Sequence, residues 1–410
     1  MRKLLVLGAG AAGTMVAAKL ASRLDAGEWE ITVVDQDETH YYQPGFLFIP
    51  FGRYRRDDVV KPKSQFIPEE VDFILGEIER VDPEDSSVVL ADGSVIDYDY
   101  LVIATGTHPR PDMTPGLDGE AYGSTIHDFY TIDGAEALAK KLATWEGGRL
   151  VVDIVEMPIK CPVAPLEFAF LADAHFADMG IRDRVDITFV TPLPGAFTQP
   201  VAARHLGSML NERAIALEAD FYLERVDADD RTLVSYDERK VPYDLLVTVP
   251  INAGAEFVAR SGLGDELNHV PVDSHTFRSP RYGNIFAIGD AAALPISKAG
   301  SVAHFSVEVF VDNFVDLVHG RPTRASFDGH ANCFIESGRG KGLLIDFNYD
   351  TEPLPGKYPV PRIGPFSLLR ETRINHWGKL GFRWMYWNIL MRGRKTPLPH
   401  DMRMAGKVAT

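Results

Sequence analysis

Cysteine is scarce in this chain: two among 410 residues, Cys161 and Cys333, set 172 positions apart. Such a count excludes a disulfide-stapled scaffold and leaves room for one functional pair. Basic residues are outnumbered, 42 Lys and Arg against 58 Asp and Glu, for a formal net charge of −16. Tracking a nucleic-acid backbone requires the reverse balance, so no nucleic-acid partner is expected. No run of apolar residues reaches the ~18 that a membrane-spanning helix needs. Yet 45% of the residues are hydrophobic and only 24% charged, which excludes a disordered chain. A single core stops growing near ~250–300 residues, so two or three domains are expected.

What is present begins at once. Arg2-Lys3 precede an apolar run, Leu4 to Leu7, which Gly8 interrupts. We read this as a buried strand rather than a cleaved signal peptide. Gly8-Ala9-Gly10-Ala11-Ala12-Gly13 follows directly, and an alanine-rich helix to Leu24 follows that. Gly8 permits the tight turn, Gly10 lets the backbone approach a pyrophosphate, and Gly13 lets helix and strand pack closely. The helix start then offers free N–H groups to an anion. Asp35 lies 22 residues beyond Gly13, at the end of the next apolar run, where a carboxylate can accept from a ribose hydroxyl. Together these predict a dinucleotide site on a strand–helix–strand unit.

The theme recurs along the chain. Strands are predicted at 101–104, 150–155, 186–190, 245–249 and 285–288, with helices at 133–146, 162–179 and 300–319. Residues 352–365, rich in proline and glycine, read as a loop or linker. This is an α/β chain with two Rossmann-like, three-layer domains.

Three segments in one order carry a resemblance: the N-terminal glycine motif, Ala104-Thr105-Gly106 after a strand, and Ile288-Gly289-Asp290 after another. The chain resembles flavoproteins with two dinucleotide-binding domains, which makes FAD the expected cofactor and adds Thr105, Gly106, Gly289 and Asp290 to its site. Relatives that use a nicotinamide carry a second glycine loop midway. Here the matching strand, Leu150 to Val155, continues into Glu156-Met157-Pro158-Ile159-Lys160-Cys161-Pro162 with no glycine. Without glycine the backbone cannot come close to a second pyrophosphate, so no nicotinamide site is expected.

Cys161 takes the place of that loop. Pro162 suits a first helical position, which would set Cys161 beside the N-cap, and Lys160 precedes it. Helix terminus and cation both favour a thiolate. The residues alone also fit two unrelated core cysteines. The surroundings of Cys161, those of Cys333 (before Gly338-Arg339-Gly340-Lys341 and Asp346-Phe347-Asn348-Tyr349) and the segment His40 to Phe46 resemble the sulfide:quinone oxidoreductases over essentially the whole chain. The resemblance implies residues 1–107 and 276–320 as the FAD-binding domain, 108–275 as a second Rossmann-like domain, and 321–410 as a membrane-associating C-terminal region. It also implies a Cys161–Cys333 redox pair that oxidises sulfide to sulfane sulfur or polysulfide; the expected helix-cap position of Cys161 favours it as the flavin-side sulfur. Lys298 would sit near the flavin, and Glu167 and His205 are candidate proton carriers. Tyr130 stands where many members carry a third cysteine.

Residues 362–410 hold ten basic and two acidic residues, so they carry +8 against −24 for the rest. Trp377, Trp384, Tyr386 and Trp387 lie among them. Aromatic and basic residues together suit a lipid headgroup boundary, so this tail is expected to rest on anionic lipid and admit a membrane quinone. A prokaryotic cell membrane is the expected location. The alternative for the tail is a packing helix or a homo-oligomer interface. The alternatives for the protein are a type II NADH:quinone oxidoreductase-like enzyme and a flavin-binding regulator without turnover.

Overall fold

The structure is a computed structural model that describes residues 1–396 and 399–408. Its first sheet is parallel, in the order Ile285–Ala287, Tyr100–Ile103, Arg2–Leu7, Trp29–Asp35, Asp72–Leu75. Leu4 pairs with Ile31 on one side and with Tyr100 on the other. Helices cover one face of the sheet and the strands Ile78–Asp82 and Ser87–Leu90 pack on the other, so its central strands read as unbroken apolar runs rather than alternating ones. The helices Ala11–Ala21 and Gly300–Val318 pack against each other here. A strand from residue 285 thus completes a sheet begun at residue 2.

A second parallel sheet runs Ile126–His127, Leu245–Val249, Gly148–Ile154, Val185–Val190, Ile215–Glu218. Its crossover helix, Ala164–Asp178, is almost wholly buried. Two of its neighbours explain this: the second sheet on one side and the strand Ala331–Gly338 on the other.

The C-terminal part adds a four-stranded sheet in the order Ala331–Gly338, Lys341–Phe347, Gly364–Leu368, Gly356–Val360. The expected loop at 352–365 is largely a hairpin instead. Pro359, on the edge strand Gly356–Val360, faces Pro365, and Gly364–Leu368 meets its other neighbour only at Leu368, so Pro365 also has an open side. The helix Arg373–Met385 lies over this sheet. Buried Asn375 stitches it down, accepting from the Ser367 amide at 3.1 Å and donating to the Ser367 carbonyl at 2.8 Å. Among the described residues no helix is long and apolar enough to cross a membrane.

Candidate active site: a dinucleotide cleft joined to a cysteine chamber

The cleft is made of backbone. A Cβ added to Gly13 would lie 1.8 Å from the Gly8 carbonyl oxygen, and one on Gly8 (φ +97°) would lie 2.7 Å from the Ala104 oxygen. Close packing of turn, helix and strand therefore requires both glycines. A Cβ on Gly10 would meet nothing within 4 Å, nor would one on Gly106. This is the open space a pyrophosphate needs. Ala12 and Gly289 close the far side, a Gly289 Cβ falling 3.0 Å from that of Ala12. The Thr105 hydroxyl is buried without a partner, as expected of a group that a ligand satisfies. These residues fit FAD.

Asp35 accepts from the Ala9 amide at 2.6 Å and pairs with the Lys63 ammonium at 2.8 Å. Sequence spacing alone did not reveal Lys63, which arrives from a short turn 28 residues further on. Burial raises the Asp290 carboxyl, with Lys298 and Lys160 pulling it back. The Lys298 ammonium donates to the carbonyls of Asp290 and Ala292, at 2.7 and 3.1 Å. Two of its protons thus brace the turn that carries Asp290.

Lys298 also connects cleft to chamber, because its carbonyl accepts from the Cys161 amide at 2.6 Å. The Cys161 carbonyl accepts from the Ala164 amide at 2.8 Å and from the Tyr130 hydroxyl at 3.2 Å. Held at both ends, Cys161 adopts φ +50°, a left-handed conformation that costs a non-glycine residue ~1–3 kcal/mol. The helix starts later than expected, with Val163 as its N-cap, so Cys161 stands two residues outside it. The thiolate expectation fails with that geometry. Burial pushes the Cys161 thiol up to about 12, and the cation that opposes this is Lys379 rather than Lys160. Lys160 itself is lowered by burial.

Cys333 enters from the strand Ala331–Gly338. Burial raises its thiol, a Cys161 thiolate would raise it further, and Lys379 and the Ser301 hydroxyl oppose. Ser301 also accepts from the Asn332 amide at 3.1 Å. The two cysteines share one electrostatic enclosure while keeping some accessible surface, and both are free thiols in this structure.

Glu167 and Lys379 complete the enclosure. The Lys379 ammonium binds the Glu167 carboxylate at 2.6 and 2.9 Å and donates to the Phe334 carbonyl at 3.0 Å. Glu167 also accepts from the Glu336 amide at 2.6 Å. Burial raises the Glu167 carboxyl, with Lys379 opposing. Burial alone would lower Lys379, but Glu167 and a Cys161 thiolate leave it above an ordinary lysine. The chamber lacks His205. That residue is half-buried on the helix Pro200–Glu212, and among the described residues no hydrogen bond or ion pair joins it to either cysteine.

The C-terminal aromatics divide. Tyr386 and Trp387 are buried in protein: the Tyr386 hydroxyl meets His40 Nε2 at 2.7 Å, and Trp387 stacks on Phe66. They therefore cannot enter lipid. Trp377 and Trp384 are 67% and 64% exposed, with Ile374 at 51%. At spacings of three and seven, all three share one outward face.

Fold and site together define a FAD-binding oxidoreductase with two Rossmann-type domains. Residues 2–153 match the family described as "Pyridine nucleotide-disulphide oxidoreductase". Its similarity to sulfide:quinone oxidoreductases extends along essentially its whole length. It is 27% identical to the mitochondrial sulfide:quinone oxidoreductase of Dictyostelium discoideum over 96% of this chain and 86% of that one. The solved sulfide:quinone oxidoreductase of Aquifex aeolicus superposes with a TM-score of 0.82 at 21% identity, covering 96% of this chain and 92% of that one. A type II NADH:quinone oxidoreductase of Staphylococcus epidermidis is 33% identical but matches only 29% of each chain.

Proposed function

We propose that the protein oxidises sulfide and passes the electrons to a membrane quinone, using Cys161 and Cys333 as a redox pair. One observation carries this reading: the chain's only two cysteines lie 172 residues apart, yet the strand that carries Cys333 packs on the helix that follows Cys161, and Cys161 adjoins the FAD cleft through Lys298. FAD, when bound, supplies a two-electron acceptor there. In the oxidised enzyme the two sulfurs are bridged. Hydrosulfide attacks that bridge, the S–S bond breaks, and the pair is left as one persulfide and one thiolate. Lys379 is the cation that stabilises the thiolate. With FAD bound to take two electrons, the persulfide and the thiolate would close into a bridge one sulfur longer and lose a proton, and each later hydrosulfide would attack the renewed bridge until sulfane sulfur leaves. The Tyr130 hydroxyl, bound to the Cys161 carbonyl, occupies the place of a third thiol, so the cycle runs on two sulfurs.

The partial match to an NADH:quinone oxidoreductase defines the rival. Its nicotinamide would need a glycine turn between Gly148–Ile154 and the helix at Ala164. That turn is glycine-free. An anaerobic titration separates the readings: sulfide should bleach the bound flavin and NADH should not. Cys161→Ser and Cys333→Ser should each abolish bleaching while FAD stays bound, and the double variant should be about as inactive as either, since the two act as a unit. Bleaching by either single variant at the parental rate rejects the pair.

The outward stripe of Ile374, Trp377 and Trp384 beside the basic residues of the tail supports membrane docking. Removing the whole tail would also remove Lys379 and the cover over His40 and Phe66. The informative change is therefore Trp377→Ser with Trp384→Ser. It should lower flotation with anionic liposomes and leave sulfide bleaching intact. The Dictyostelium relative is mitochondrial, so a prokaryotic membrane does not follow from the kinship.

A further inference from the structure

Two more ionisable residues, which no motif marks, lie at the edge of the chamber. Glu336 follows Cys333 by three residues on the same strand, and its side chain is wholly buried. Its carboxylate is bound by His376 Nδ1 at 2.8 and 2.9 Å, and Arg53 approaches it at 3.7 Å. His376 and Lys379 each retain 11% side-chain exposure and Arg53 35%, whereas Glu336 and Glu167 have none. Buried Glu336 thus faces two residues with access to solvent. Its own amide binds Glu167, so the two carboxyls are one residue's reach apart. The charged groups around His376 are Glu336 from the strand, Arg53 from the N-terminal part, and Lys379 on its own helix, with Glu167 beyond. Trp377 covers one edge of the imidazole at 5.5 Å.

We propose that His376 and Glu336 relay protons between solvent and the buried Glu167 carboxylate during quinone reduction. The relay rests on the reading above and extends it. Proton balance requires such an entry. Oxidising HS⁻ to sulfane sulfur releases one proton and two electrons. Reducing a quinone to its quinol consumes two electrons and two protons. Each turnover therefore draws one proton from solvent into a region whose two carboxylates, Glu167 and Glu336, are wholly buried. Histidine suits the outer position because its ordinary titration falls at physiological pH. His376 shares a helix with Lys379, on the side turned away from the exposed Trp377 and Trp384, which sets the proton entry apart from the outward stripe.

The test separates the half-reactions in full-length, FAD-loaded protein by anaerobic stopped flow. Sulfide drives flavin reduction, and a short-chain quinone drives reoxidation. In His376→Gln, reoxidation should slow about a hundredfold, at the lower end of proton-transfer effects, and far more than reduction does. In His376→Ala, added 4-methylimidazole should restore the rate, which a merely structural role for the ring would not allow. The parental profile is a second check that needs no variant: reoxidation independent of pH from 5.5 to 8.5 overturns the relay. So does a parental rate in His376→Gln, or equal slowing of both half-reactions without rescue. A parental enzyme that sulfide does not bleach, or that quinone does not reoxidise, rejects the proposed function itself.

Discussion

The two halves of the site are built from different materials. The dinucleotide cleft is backbone: glycines whose missing side chains leave space, a helix start, and one carboxylate neutralised by Lys63. The cysteine chamber is side chain: two thiols, two carboxylates, a lysine and a histidine in near-dry surroundings, each charge tied to another. The cleft should therefore fail when atoms are added, and the chamber when charges are removed. Low polarity makes each unpaired charge in the chamber costly, whereas the cleft is sensitive mainly to shape.

The largest effect on FAD binding is expected from adding a methyl to the cleft. Gly13→Ala places a carbon 1.8 Å from the Gly8 carbonyl oxygen, so helix and turn must separate. Overpacking of this kind costs ~1–3 kcal/mol or more, and FAD should be lost with it. Gly10→Ala provides the contrast, because its Cβ meets no protein atom within 4 Å. The apoprotein should unfold at the parental temperature yet bind FAD weakly. Flavin-to-protein absorbance and thermal melts of both apoproteins make the comparison. A full flavin complement in Gly13→Ala would break the picture of a backbone-built cleft.

Removing charge from the chamber comes next. Lys379→Met leaves Glu167 buried without its cation, a change that costs about 3–5 kcal/mol when one member of a buried pair is deleted. It also removes the group that opposes the rise of the Cys161 thiol, so sulfide-driven bleaching should slow as well. Adding Glu167→Gln should recover most of the stability and none of the rate. Denaturant unfolding of the two single variants and the double variant measures this coupling. Additive stability losses would mean the pair is solvated rather than buried.

The same contrast explains what the sequence could disclose. The cleft was legible because its parts are local: six consecutive residues and an acid one strand–helix–strand unit later. The chamber draws Tyr130, Cys161, Glu167, Cys333, Glu336, His376 and Lys379 from five segments, and no spacing rule links them. Lys379 counted only as one of ten basic residues in a tail that looked lipid-facing throughout. A helical reading held the missing signal: if Ile374, Trp377 and Trp384 face outward, then His376, Lys379 and Arg383 turn away from them. The inward side of that helix is where the chamber found its lysine. The thiolate expectation failed for a related reason. Sequence shows the neighbours of Cys161 along the chain, but burial, which exceeds their effect, depends on the remote strand at Ala331–Gly338 and the tail helix. The hairpin at 356–368 was hidden by prolines that strands with an open side tolerate.

The smallest effect tests whether pairing is what sets the chamber's charges apart. Asp153 lies on the strand that leads towards Cys161, fully buried and without a cation. Its one partner is the Thr248 hydroxyl at 3.2 Å, and its other oxygen has none. Burial accordingly raises this carboxyl to about 7. An unfolded aspartate titrates near ~3.9, so between that pH and about 7 the folded chain holds one proton more than the unfolded chain. Stability from this group is complete at acid pH and declines as pH rises through that window, by ~1.4 kcal/mol per pH unit, then levels off. Asp153→Asn has the same shape and does not titrate. Its stability relative to the parent should therefore rise from pH 5 to 7 and stay constant above, as read by urea unfolding of FAD-loaded protein at each pH. Glu167→Gln provides the paired counterpart, since it should destabilise by stranding Lys379. If Asp153→Asn destabilises across the whole range, this carboxyl has a partner that binds its charged form, and lone and paired acids here do not differ as proposed.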